Sequence, residues 1–192
     1  GMRCVNLIPE PVPEGGKAAG ALWPAPGVST FATMPKGPGR GMFFENDRLF
    51  AVGGDVLYEV DSAANVTARG TLLADGNPVT LSTNGDAGGE LFVTSGGRGD
   101  ILDLTNNNFL AGEVADVNFG DQIDGFFVGL DTATSTLKSS RLSDGQTWDG
   151  TDIAQRIAAA DNWLAMIVSR REIYLFGGKT GEVWYNRGLG SG

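Results

Sequence analysis

The stretch Leu49-Phe50-Ala51-Val52-Gly53-Gly54-Asp55-Val56-Leu57-Tyr58-Glu59-Val60 decides how the rest of the chain is read. Leu49 to Val52 suit an extended backbone, and Val56, Leu57, Tyr58 and Val60 suit a partner strand. Gly53-Gly54-Asp55 supplies the positive φ of a tight hairpin between them. The pattern recurs at Glu90 to Leu104 with a longer turn, and at Glu172 to Tyr185. A looser copy, Gly125 to Asp131 answered by Ser135 to Leu142, lies between those two.

Aligning Phe50, Phe92, Phe127 and Tyr174 gives steps of 42, 35 and 47 residues. Their mean of about 41 lies within the ~40–50-residue period of four-stranded propeller blades. These four aromatics are expected to form a repeat core packed between blades. The sequence therefore predicts an all-β, β-propeller-like fold of about four antiparallel blades, or a partial propeller. Residues 1–40 are expected to be an N-terminal extended segment with turns that closes the sheet. Residues 41–187 are expected to carry the blade repeats, and residues 188–192 to be a flexible end.

Composition narrows the function. The 30 glycines and 8 prolines are spread between apolar runs, which suits many short strands joined by turns. No apolar run approaches the ~20 residues of a membrane-spanning helix, so no membrane association is expected. The net charge of −9 repels phosphate, which argues against direct nucleic-acid binding, sequence-specific or otherwise. Cys4 is the single cysteine, so no internal disulfide is possible. The absence of histidine removes His-based metal sites and Ser-His or Cys-His nucleophile pairs. No catalytic residue, cofactor site or metal site is expected.

Several short motifs admit a structural and a functional reading. Ser143-Asp144-Gly145-Gln146-Thr147-Trp148 resembles the Asp-box of sialidase propellers, with its Asp one position late. Asp144, Gly145, Thr147 and Trp148 are read as a structural turn, Asp144 capping its amides and Trp148 packing beneath. A carbohydrate-binding or sialidase-like propeller is the alternative. It would need clustered arginines or paired carboxylates, and the arginines here are scattered singly among turns. Arg98-Gly99-Asp100 matches an adhesion tripeptide, but hairpin turn chemistry explains it. Asp116, Asp121 and Asp124 are acidic without calcium-loop spacing. Arg170-Arg171 is a basic turn too small for a nucleic-acid footprint. Trp23 and Trp148 are candidate partner anchors for which a buried role is expected, and Asp152 to Ala160 can form a short helix capped by Asp152 or equally run extended.

The order of other motifs carries a resemblance. Arg3-x-Val5-Asn6-Leu7-x-Pro9-Glu10 is followed by Pro26-Gly27-Val28-x-x-Phe31, Gly39-Arg40-Gly41 and the opening hairpin. Asp124-Gly125-Phe126-Phe127-Val128 and Leu142-Ser143-Asp144-Gly145-x-x-Trp148 come next. From about Arg3 to Tyr185 the chain resembles the packaged-DNA-stabilisation, or tail accessory, proteins of short-tailed phages and prophages. The resemblance implies a non-enzymatic virion component of a tail hub that helps retain packaged DNA beneath the portal. It implies tail or portal-adaptor partners, a homo-oligomer, a place in the virion tail and assembly in the host cytoplasm. A prophage-derived protein-interaction scaffold is the other reading. Family members are longer, so four repeats leave blade edges to be covered by self-association or by the Arg3–Leu7 strand.

Overall fold

In the computed structural model, which describes residues 7–11, 20–155 and 161–185, the opening stretch forms two antiparallel strands turning at Gly54-Asp55. The chain divides into two compact units, Gly1–Phe31 and Ala32–Gly192. In the first, β1 (Leu7–Pro11) pairs antiparallel with β2 (Gly20–Pro24), Ile8 opposite Trp23. Trp23 is exposed, contrary to the burial expected for it, because this two-stranded ribbon has no apolar side covered around it. Of the Arg3–Leu7 strand only Leu7 falls among the described residues, and residues 188–192 lie outside them.

The second unit is built from four antiparallel meanders. The first sheet comprises β3 (Gly39–Glu45), β4 (Arg48–Gly53), β5 (Val56–Val60) and β6 (Val66–Thr71) in sequence order. The second comprises β7 (Thr80–Thr83), β8 (Glu90–Ser95), β9 (Arg98–Asp103) and β10 (Asn108–Ala115), with a single helical turn, α1 (Gly85–Gly88), after β7. The third comprises β11 (Phe119–Ile123), β12 (Phe126–Asp131), β13 (Thr136–Arg141) and β14 (Asp144–Gln155). The fourth, among the described residues, comprises β15 (Trp163–Ser169), β16 (Glu172–Gly177) and β17 (Gly181–Tyr185). Residues 152–155 continue β14 rather than starting a helix: Ile153, Ala154 and Gln155 pair with Lys138, Leu137 and Thr136. Residues 156–160 lie outside the described set.

Tight turns close the hairpins. Asn46-Asp47, Gly96-Gly97, Asp124-Gly125 and Arg170-Arg171 each place two successive residues at positive φ. This turn geometry matches the twist of the flanking strands, and Asn, Asp and Gly adopt it most readily.

Period-two alternation sends apolar residues to both faces of the sheets, and neighbouring sheets bury those faces against each other. Phe50, Val52 and Leu57 of the first sheet meet Leu91, Val93 and Leu102 of the second. Phe92, Ile101 and Val114 of the second sheet meet Phe127 and Trp148 of the third. Val128, Leu130 and Leu137 of the third meet Trp163, Ile173 and Leu175 of the fourth. Phe50, Phe92 and Phe127 are all buried, but not in one phase. Phe50 and Phe92 point to the following sheet, whereas Phe127 points back to the preceding one, its ring 5.1 Å from Phe92. Tyr174, expected in the repeat core, is half-buried and belongs to none of the three clusters. Ile173 and Leu175 take the buried face of β16, so Tyr174 points the other way.

Close approach of the second and third sheets requires glycine at 120. A Cβ there would lie 2.5 Å from Phe92 Cε1 and 2.5 Å from Thr94 Cγ2. Gly120→Ala is expected to lower unfolding free energy by about 1–3 kcal/mol through overpacking, measured by urea denaturation. An unchanged midpoint would show that the two sheets separate without cost.

Candidate functional site

The first strands of the four sheets border one open cavity of about 610 Å³. Phe43 and Glu45 of β3, Leu81 to Thr83 of β7, Asp121 to Ile123 of β11 and Val168 of β15 line it. Two of the three acidic residues singled out in the sequence, Asp121 and Asp124, sit at this cavity. Asp116 stands apart and is exposed, 4.0 Å from Lys138 Nζ.

The cavity acids join neighbouring sheets. Asp121 Oδ2 accepts the Val168 N–H at 2.9 Å, linking β11 to β15. Asp124 accepts both Arg171 Nε, at 2.7 Å, and Arg171 Nη2, at 3.1 Å. This two-pronged pair holds the turn of the fourth sheet on the turn of the third. Arg171 of the basic turn is thus an intramolecular tie. Among the described residues, no three His, Cys, Asp or Glu side chains are grouped to hold a metal ion.

The Asp144–Trp148 segment is a docking turn between the second and third sheets. Asp144 Oδ1 accepts the Gln146 N–H at 3.0 Å, and Trp148 Nε1 donates to the Gly145 carbonyl at 2.7 Å. Thr147 is half-buried beside them. Glu90, buried on β8, accepts the Gly145 N–H at 2.6 Å and Gln146 Nε2 at 2.8 Å. Trp148 is half-buried against Phe92, ring centroids 5.4 Å apart. Sequence reasoning found the turn but not Glu90, which lies more than fifty residues away and carries no local motif.

The other motif residues are also absorbed into packing. Asp100 of the Arg98-Gly99-Asp100 tripeptide is fully buried. Arg98 Nε lies 2.7 Å from it, and the Gly112 N–H donates to it at 2.7 Å from the bulge in β10. Burial pushes the Asp100 carboxyl above its ordinary range despite these partners. Arg40, also buried, donates to Asn77 O at 2.7 Å, Gly54 O at 3.0 Å and Ser95 Oγ at 2.8 Å, and pairs with Asp75. Arg48 grips Glu59 through two 2.8 Å bonds and reaches the Leu104 carbonyl, in the turn after β9, at 2.7 Å. Arginines spent in this way do not converge on a sugar-binding centre.

Four sheets stacked in order, with their first strands around a common cavity, define the β-propeller class. A family model described as Bacteriophage P22 Gp10, beta-propeller, matches residues 2–191, so the chain belongs to that family of phage tail accessory proteins, which stabilise packaged DNA. No match was found among curated proteins. Among solved structures the computationally designed Ika4 protein is similar, with 12% identity, a TM-score of 0.56, and 82% of this chain covering 98% of that one. The designed Ika8 protein has 13% identity and a TM-score of 0.56, with 96% of this chain covering 57% of that one. YCF48 bound to D1 peptide has 16% identity and a TM-score of 0.53, with 85% of this chain covering 52% of that one. The chain thus spans little more than half the length of the latter two. At these identities the likeness is one of fold.

Two measurements test this network. Asp121→Ala leaves the Val168 amide without its partner and is expected to cost about 1–3 kcal/mol, with Asp121→Asn costing less; chemical denaturation reads both. The Glu59 carboxylate is held below its ordinary range by its bonds to Arg48, burial opposing and Arg69 adding to the effect. Its folded value is depressed, so its stabilisation is present above the unfolded value of about 4.3. It is lost as pH falls through the lower folded value. Thermal melts of Glu59→Gln from pH 7 to pH 2.5 are expected to show a shallower acid limb than the parent chain.

Proposed function

We propose that this chain is a non-enzymatic structural component of a phage tail hub, which helps retain packaged DNA beneath the portal by binding other virion proteins. The observation that carries the reading is the face of the fourth sheet turned away from the third. Leu164, Ile167, Phe176, Val183 and Tyr185 are between 48% and 58% exposed. Ile167, Tyr174 and Val183 lie side by side across the three strands of this face. Apolar sheet faces of this kind are covered by a neighbouring sheet at the three internal junctions. A contiguous exposed apolar patch marks a protein-contact surface.

Family membership supplies the setting, and charge supplies the mode. A chain of net charge −9 does not grip a phosphate backbone. It acts on DNA by sealing or lining a path through protein contacts. Its partners in this reading are tail or portal-adaptor proteins and further copies of itself. Its place is the virion tail, reached by assembly in the host cytoplasm. No helix among the described residues is long and apolar enough to cross a membrane.

Light scattering over a range of concentrations tests this directly. The parent chain is expected to gain mass with concentration or on mixing with portal-side tail proteins. Ile167→Asp/Phe176→Asp is expected to abolish that gain with an unchanged circular dichroism spectrum. A parent chain that stays monomeric under both conditions would overturn the proposal.

A further inference from the structure

A second surface lies where the outer strand of the second sheet meets the third sheet. There a groove of about 430 Å³ is bordered by Glu113 and Val114 of β10, Lys138 of β13, and Trp148 and Asp149 of β14. Its charges are not equally satisfied. Lys138 Nζ donates to the Ala115 carbonyl at 2.6 Å and lies 4.0 Å from Asp116. Asp149 lies 3.6 Å from Arg141. Glu113 is half-buried and has no hydrogen-bond or ion-pair partner among the described residues. Burial raises its carboxyl above the ordinary range, and the nearby carboxylates Asp100, Glu90 and Asp144 raise it further. The bridging residues around it explain why no cation among the described residues answers it: Arg98 is already paired with Asp100, and Lys138 with Ala115.

A partly desolvated, unanswered carboxylate that shares a groove with an indole is the chemistry that recognises an organic cation. The carboxylate accepts charge-assisted hydrogen bonds, and the aromatic ring attracts a guanidinium or ammonium group. A planar guanidinium fits this pairing better than a compact ammonium, because it forks onto carboxylates and stacks on rings. We propose that this groove receives a basic side chain, preferentially arginine, from a partner protein, with Glu113 as its counter-ion and Trp148 as its platform. The site is separate from the open face of the fourth sheet, and it stands or falls independently of that surface.

The test uses the full chain, labelled with ¹⁵N, and N-acetyl-arginine amide as probe. The four tryptophan indole N–H signals are followed, and Trp148→Phe identifies the one from Trp148. The Trp148 indole and the Glu113 amide are expected to shift with millimolar probe, more weakly with N-acetyl-lysine amide, and not with N-acetylglucosamine. Glu113→Gln, which breaks no internal bond, is expected to keep the parent spectrum elsewhere and to weaken binding roughly tenfold. The proposal is overturned if the Trp148 signal does not move, if Glu113→Gln binds as the parent does, or if the sugar shifts the signal and arginine does not.

Discussion

Burial of one sheet's face against the next is the contact on which the rest of this molecule depends. A four-stranded antiparallel sheet with apolar residues on both sides is not stable alone in water. In β8, Leu91 and Val93 face the first sheet while Phe92 faces the third. The second sheet is therefore held from both sides. The tilted contact of Phe92 with Phe127, backed by Trp148, is the middle of that stack. The same logic applies at the fourth sheet, where Trp163 meets Trp184 edge-to-face on the covered side and the opposite side stays open. The exposed apolar face of the fourth sheet follows from the absence of a further sheet against it among the described residues.

Apolar faces are not directional, so the polar ties decide how each sheet is placed on its neighbour. Arg40 joins β3 to the connection before β7 and to Ser95. Glu90 receives the turn that opens β14, and Asp121 receives the amide of Val168. Thr80 Oγ1 receives the Gly120 N–H at 2.8 Å, between the first strands of the second and third sheets. Each tie uses a group whose burial would be costly if it were unpaired. Slipping one sheet along another would break several such bonds at once, whereas the apolar contacts alone would tolerate the slip. These ties keep the outer surfaces of the four sheets in fixed relation.

The hairpins were legible because their signals are local. Leu49 to Val60 needs only alternation and a turn, and Arg170-Arg171 was readable as a turn from the strands on either side. Of the helical and extended readings open for Asp152 to Ala160, the extended one holds over residues 153–155, because β13 offers them an open ladder to pair with. Pairing of that kind overrides weak helical preference. The alignment of Phe127 with Phe50 and Phe92 was one residue out of phase. In a strand that shift exchanges the two faces of the sheet, and no feature of the local sequence reports which neighbour a face will meet. Trp23 shows the same limit, since apolar character alone does not state whether a covering surface is present.

Alternation, turn residues and a period of about forty residues were enough to specify strands, hairpins and a propeller-like repeat, because each depends on residues close together in the chain. The missing histidine likewise removes His-based chemistry, and the acidic balance disfavours a grip on phosphate, because both depend on composition alone. The roles of single side chains were decided by folding. Asp100 became a buried ion-pair partner, Asp124 a tie between turns, and Glu113 a carboxylate without an answering charge among the described residues. The Asp124 tie depends on a group 47 residues away arriving at 2.7 Å, and the burial of Asp100 on the sheets that cover β9; only the stacking of the sheets decides either.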